Sequence, residues 1–170
     1  AHSSVPVLQC APYGLHSWYI KTLSDSDARR VNFTPRHTTV NALTSLPRPP
    51  GYDIGKRIVG VGTTTYRVTA DLISAQIMHD RDIHAEIRDP RPGGRTMIVE
   101  FPDQRCWGAS TSIKRKAMRT ARAAFVAACG RQTTALLRLK GRVTITGVGF
   151  FDHFRESEDP AEARNAIELH

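Results

Sequence analysis

From Arg57 onward, apolar and polar positions alternate. Tyr66, Val68, Ala70 and Leu72 share one side of an extended chain, and Arg67, Thr69 and Asp71 take the other. The phase then slips so that Ile73, Ala75 and Ile77 become the apolar set, which predicts a bulge or sharp bend within one long strand. After a turn at Asp80, Arg81 and Asp82, a second strand sets Ile83, Ala85 and Ile87 against His84, Glu86 and Arg88. A third carries Met97, Val99 and Phe101 between a Pro- and Gly-rich loop and Pro102.

The period changes to 3.6 between Ser110 and Ala128. There Ile113, Ala117, Ala121, Ala124, Phe125 and Ala128 form one stripe of a predicted helix, capped by Ser110 or Ser112 and stopped by Gly130. Arg115, Arg119 and Arg122 lie on the opposite stripe, giving the helix a cationic back. A fourth strand over Arg142 to Phe150 and a fifth over Ala166 to His170 complete the order βββαββ. A bent first strand, a three-strand meander and a helix before two final strands describe a mainly β, five-stranded OB-like barrel with its helix between strands three and four. An α+β sheet with the helix on one face is the alternative.

Residues 1–57 read as an N-terminal arm with short helices, packing on the barrel of residues 58–170 or on a neighbour. Six prolines interrupt this arm. Ser24 or Asp25 caps one short helix, and Thr38 or Thr39 caps another that ends before Pro47. Gly147 and Gly149 are too few for a phosphate loop and are expected to let a strand bend or another backbone approach.

With 170 residues, the chain has room for one core. Its longest apolar run, Ala123 to Cys129, is far short of the roughly 20 residues a spanning helix needs, so no membrane insertion is expected. No basic-then-apolar leader follows Ala1, and any secretion signal is expected to have been removed. Of the three cysteines, Cys106 and Cys129 would be separated by a helix about 28 Å long, which leaves Cys10 as the better disulfide partner for either. Three free thiols are the alternative, and an extracytoplasmic location is favoured over a cytoplasmic one.

Charge changes this picture most. The net charge is +8, yet Gln104 to Phe151 contains no acid and ten bases, while the last 19 residues sum to −4. A cationic surface concentrates polyanions and makes their binding salt-sensitive. The expected function is therefore a non-enzymatic binding module for an anionic polymer, with single-stranded nucleic acid the first candidate and acidic polysaccharide the second. Lys114, Arg115, Lys116, Arg119 and Arg122 would supply the charge, Arg138, Lys140 and Arg142 would extend it, and Trp107 would offer an aromatic platform. The competing reading is a structural, self-associating protein whose arm or acidic tail docks on the next subunit.

Asp80, Asp82, His84 and Glu86 fall at every second position and could line one strand face as metal ligands or as an acid and base pair. Such alternation is more often the solvated side of an antiparallel strand. That reading is adopted, and no metal, cofactor or catalytic residue is assigned.

Thr144-Ile-Thr-Gly-Val-Gly-Phe-Phe-Asp152 followed by Asn165-Ala-Ile-Glu-Leu-His170 resembles a group of uncharacterised bacterial proteins that pair a GVGFFD motif with an N-G-I-E-L-H-P-V ending. Ile20–Ser24, Asp82–Pro90 and Arg95–Asp103 look like the same group. The resemblance implies an OB-like fold and carries no known activity. Ala166 departs from it, standing where the group tends to have Gly.

Overall fold

The computed structural model describes residue 10, residues 15–153 and residues 161–170. Its strands are β1 (Asn32–Thr38), β2 (Thr64–Ile77), β3 (Ile83–Arg88), β4 (Thr96–Phe101), β5 (Leu137–Arg138), β6 (Arg142–Phe151) and β7 (Ile167–Leu169). Among the described residues three α-helices accompany them, α1 (Leu15–Lys21), α2 (Val40–Leu43) and α3 (Arg115–Cys129).

Strands β2, β3, β4, β7 and β6 follow one another around a closed path, because β6 pairs back onto β2. All these pairings are antiparallel except β4 with β7, which is parallel. The protein is thus mainly β, with a closed five-stranded barrel of OB type. The predicted phase slip is real: β2 pairs β3 on either side of a register shift between Leu72 and Ser74. Tyr66, Val68, Ala70 and Leu72 point inward before the shift, and Ala75 is buried after it.

Inside the barrel, Met97 and Val99 of β4 pack with Ile83, Ala85 and Ile87 of β3, Phe151 of β6, and Ile167 and Leu169 of β7. The glycines of β6 permit close approach. A Cβ on Gly149 would stand 2.8 Å from the Val61 carbonyl oxygen, and one on Gly147 would stand 2.9 Å from that of His170.

Residues of the predicted arm join this body. Strand β1 adds to β2 in parallel, a strand that its proline and mixed polar sequence did not announce. The Thr39 hydroxyl accepts the Ala42 N–H, as predicted for a cap, and sets Val40 and Leu43 into the main core. At the junction, buried Arg57 pairs with Asp25 and donates to the Ile20 and Gly62 carbonyls. A disulfide joins Cys10 to Cys106, leaving Cys129 free.

Two features of the predicted long helix need correction. It does not begin at Ser110 or Ser112: a 3-10 turn over Ala109–Thr111 comes first, and α3 starts at Arg115. Nor does the predicted apolar stripe face the core as a whole: of its members only Phe125 is buried. Ala117, Ala121, Ala124 and Ala128 are exposed, as is Ile113, whereas Met118 and Phe125 are buried. Phe125 stacks on Phe101 with ring centroids 4.9 Å apart. Two large side chains bury far more surface than four methyl groups, so they set which edge of the helix meets the barrel. Gly130, at a φ of 81°, ends the helix as expected.

Candidate functional site

The first candidate region is cationic. Arg115, Lys116 and Arg119 are exposed on α3, and Arg131, Arg138 and Lys140 are exposed in the segment that follows. None of these six forms an ion pair with an acid among the described residues. The other predicted contacts are placed differently. Arg142 pairs with Asp71 at 2.8 Å, and the Lys114 ammonium lies 3.9 Å from the centre of the Phe33 ring. Arg122 turns away from its neighbours: half-buried, it donates to the Phe101 and Arg81 carbonyls, and burial depresses its pKa.

Trp107 is 52% exposed and firmly held. Its carbonyl accepts the Trp18 indole N–H at 2.6 Å, and its ring meets Tyr19 edge-on at 5.5 Å. By contrast, Tyr66, Phe150 and Phe151 are buried and offer no platform. Phe154 and the acids Glu156, Glu158 and Asp159 of the predicted acidic tail lie outside the described residues.

The second region mixes both signs and is enclosed. On the outward side of the barrel, His84 of β3 stands directly opposite Glu100 of β4. The parallel pairing of β4 with β7 matches Ile98 to Glu168 and Val99 to Leu169, so His170 falls level with Glu100, one residue past the strand. His84, Glu100 and His170 therefore form a row across β3, β4 and the end of β7, with Glu168 two residues back on the same face. Helix α1 closes over this row. Its Lys21 ammonium lies 3.0 Å from Glu100 Oε2, 3.5 Å from Asp152 Oδ2 and 3.8 Å from Glu168 Oε2, and 5.5 Å from the centre of the Phe150 ring.

Glu100 is the hub. Its fully buried carboxylate also contacts His84 Nε2 through Oε1, and lies 2.9 Å from His170 Nδ1 through Oε2. The other ring nitrogen of His170 lies 3.2 Å from Glu168 Oε2. Burial opposes ionisation of Glu100, but the Lys21 ammonium and the two imidazoles override it and hold the carboxyl well below its usual range. Burial likewise opposes charge on His84 and His170, yet Glu100 raises both to about 9. Lys21 is raised too, because Glu100, Glu168 and Asp152 outweigh its desolvation. Glu168 shifts upward, through its own burial and the neighbouring Glu100 charge.

The alternating set Asp80, Asp82, His84 and Glu86 does not converge. Glu86 accepts from the Ser74 hydroxyl, Asp80 accepts the Asp82 N–H, and buried Asp82 accepts the Asp103 N–H at 3.4 Å. Only His84 reaches the cluster. The remaining members, Lys21, Glu100, Asp152, Glu168 and His170, went unassigned in the sequence, because they are spread over separate segments with no spacing along the chain that links them.

An apolar cleft adjoins the cluster. Ala117, Met118 and Ala121 of α3 form one wall, Ile145 and Val148 of β6 another, and Glu100 and His170 are among its lining residues, with Lys114 also lining it. Pockets of this kind, apolar with a few convergent polar groups, are where ligands usually bind. Compared with family models, with curated proteins and with solved structures, the chain gives no significant match.

Proposed function

We propose that the protein is a non-enzymatic module that binds single-stranded nucleic acid through the outer face of α3 and the segment leading into β6. The observation that carries this reading is the set of six exposed cations, Arg115, Lys116, Arg119, Arg131, Arg138 and Lys140, without an acidic partner among the described residues. Lys114 stands at the N-terminal edge of that face, and Trp107 offers an exposed ring for base stacking. The β3–β4 face, where OB-type barrels often bind oligonucleotides, is covered here by α1 over Glu100 and Glu168. Contact is therefore assigned to the helix side.

Binding of labelled single-stranded DNA and RNA, titrated across salt concentrations, tests the assignment. Changing Arg115, Lys116 and Arg119 together to Gln should lower the slope of log K against log salt by about 2, from roughly 0.7 per phosphate contact on a single strand. Salt-sensitive binding to heparin alone would transfer the surface to acidic polysaccharide. No salt-sensitive binding to any of these polymers would overturn the proposal.

A second reading, self-association, is favoured by one observation. Leu136 and Leu137 are 53% and 42% exposed, and the two-residue strand β5 pairs with β2 and, among the described residues, with no other strand. Such an edge is open to another strand. A strictly monomeric mass at all concentrations would remove this reading.

A further inference from the structure

The buried row on the outside of the barrel has the composition of a metal centre. One ligand atom from each of Glu100, Glu168 and His170 lies within 4.8 Å of the other two. Donors about 2.1 Å from a common ion stand at most ~4.2 Å apart, so modest side-chain rotations would bring all three onto one cation. His84 adds a fourth donor, since its Nε2 already touches Glu100 Oε1. Strand register supplies this convergence without any loop: three of the four residues are level with one another across β3, β4 and the end of β7.

Hydrogen bonding leaves the cluster incomplete. Glu100 Oε1 and His170 Nδ1 are both buried, and neither makes a hydrogen bond of acceptable geometry. Each lies beside a group of opposite polarity, but without the alignment a hydrogen bond requires. A cation between them would engage both as ligands.

Charge is compatible with a metal. Glu100, Glu168 and Asp152 bring three carboxylates, and Lys21, within 4 Å of all of them, returns one positive charge. A divalent ion would enter in exchange for the two imidazole protons: once these leave, two negative charges remain, the complement of that ion. Two imidazoles with two carboxylates suit zinc, manganese, iron or cobalt better than the all-oxygen preference of calcium or magnesium.

We infer that His84, Glu100, Glu168 and His170 bind one first-row divalent transition metal, with Lys21 and Asp152 as outer partners that orient Glu100 and Glu168. The adjoining apolar cleft, which has Glu100 and His170 in its lining, gives an exchangeable ligand a route to that ion.

The test uses the full chain, stripped with chelator, loaded with Zn²⁺ or Co²⁺ and desalted. One ion per chain by elemental analysis is expected, with a visible d–d absorption band for cobalt. His84→Asn and Glu100→Gln should each weaken metal binding by about tenfold or more. His79→Asn, an exposed histidine on the adjacent turn, should leave it unchanged. His84 is 23% exposed in its side chain, so its variant reports even where Glu100→Gln fails to fold. Failure of the unaltered protein to retain an ion, or retention that His84→Asn leaves undiminished, would overturn the assignment.

Discussion

Arg115 and Arg119 of α3 stand in water with no acid paired to them among the described residues, whereas Lys21 is enclosed with three carboxylates and two imidazoles. Both regions are rich in charge, yet the physics differs. Exposed cations are solvated individually, so each contributes little to folding and remains available to a partner. Buried charges have lost water and depend on one another, so removing one leaves the others uncompensated. Binding surface and folding element are thus separated by burial, even though side chains of the same kind build both.

Breaking the buried hub should give the largest effect. Glu100→Gln leaves Lys21 and two imidazoles without their shared counter-charge, and a loss of about 3–5 kcal/mol is expected from urea unfolding. A loss below 1 kcal/mol would contradict the coupled description.

Within α3 itself the comparison can be made sharper. Arg122→Gln removes donors from the Phe101 and Arg81 carbonyls and should cost about 1–3 kcal/mol. An equal loss from Arg119→Gln would show that position along the helix, rather than burial, governs the outcome.

Acid titration probes a pair intermediate between the two regions. Hydrogen bonds from the Arg91 guanidinium and the Asn41 N–H lower Asp89 to about 2. Its contribution is present above the ordinary carboxylate value of 3.8 and is lost as pH falls toward 2. The urea midpoint should drop across that window, and Asp89→Asn should reduce the drop.

A smaller gain is expected at Ala166, which holds a φ of 59° in the left-handed region just before the strand that delivers Glu168 and His170. Ala166→Gly relieves that conformation and should stabilise the protein by about 1 kcal/mol in thermal or urea unfolding. Arg115→Gln and Arg119→Gln should each fall within about 0.5 kcal/mol of the parent while still weakening polymer binding.

Much of the barrel is legible in the sequence. Period-two alternation located β2, β3 and β4, the slip after Leu72 marked the register shift, and Gly130 marked the end of α3. Strand β1 was missed because its pattern is mixed: Phe33 and Pro35 are only half-buried among exposed neighbours. The packed edge of α3 was also misread. Periodicity groups apolar residues by angle alone: it placed Phe125 correctly, but it could not weigh the alanines beside it against Met118, which buries more surface.

What the sequence determined by itself was the order and period of the strands and the segregation of charge, because both are properties of neighbours along the chain. Which charges would be paired was decided only in three dimensions. Lys21, His84, Glu100, Asp152, Glu168 and His170 are spread over almost the whole chain, and they meet because strand register and the docking of α1 bring them to one face. Coulomb interactions and desolvation depend on distance and burial, quantities that exist only once the barrel has closed.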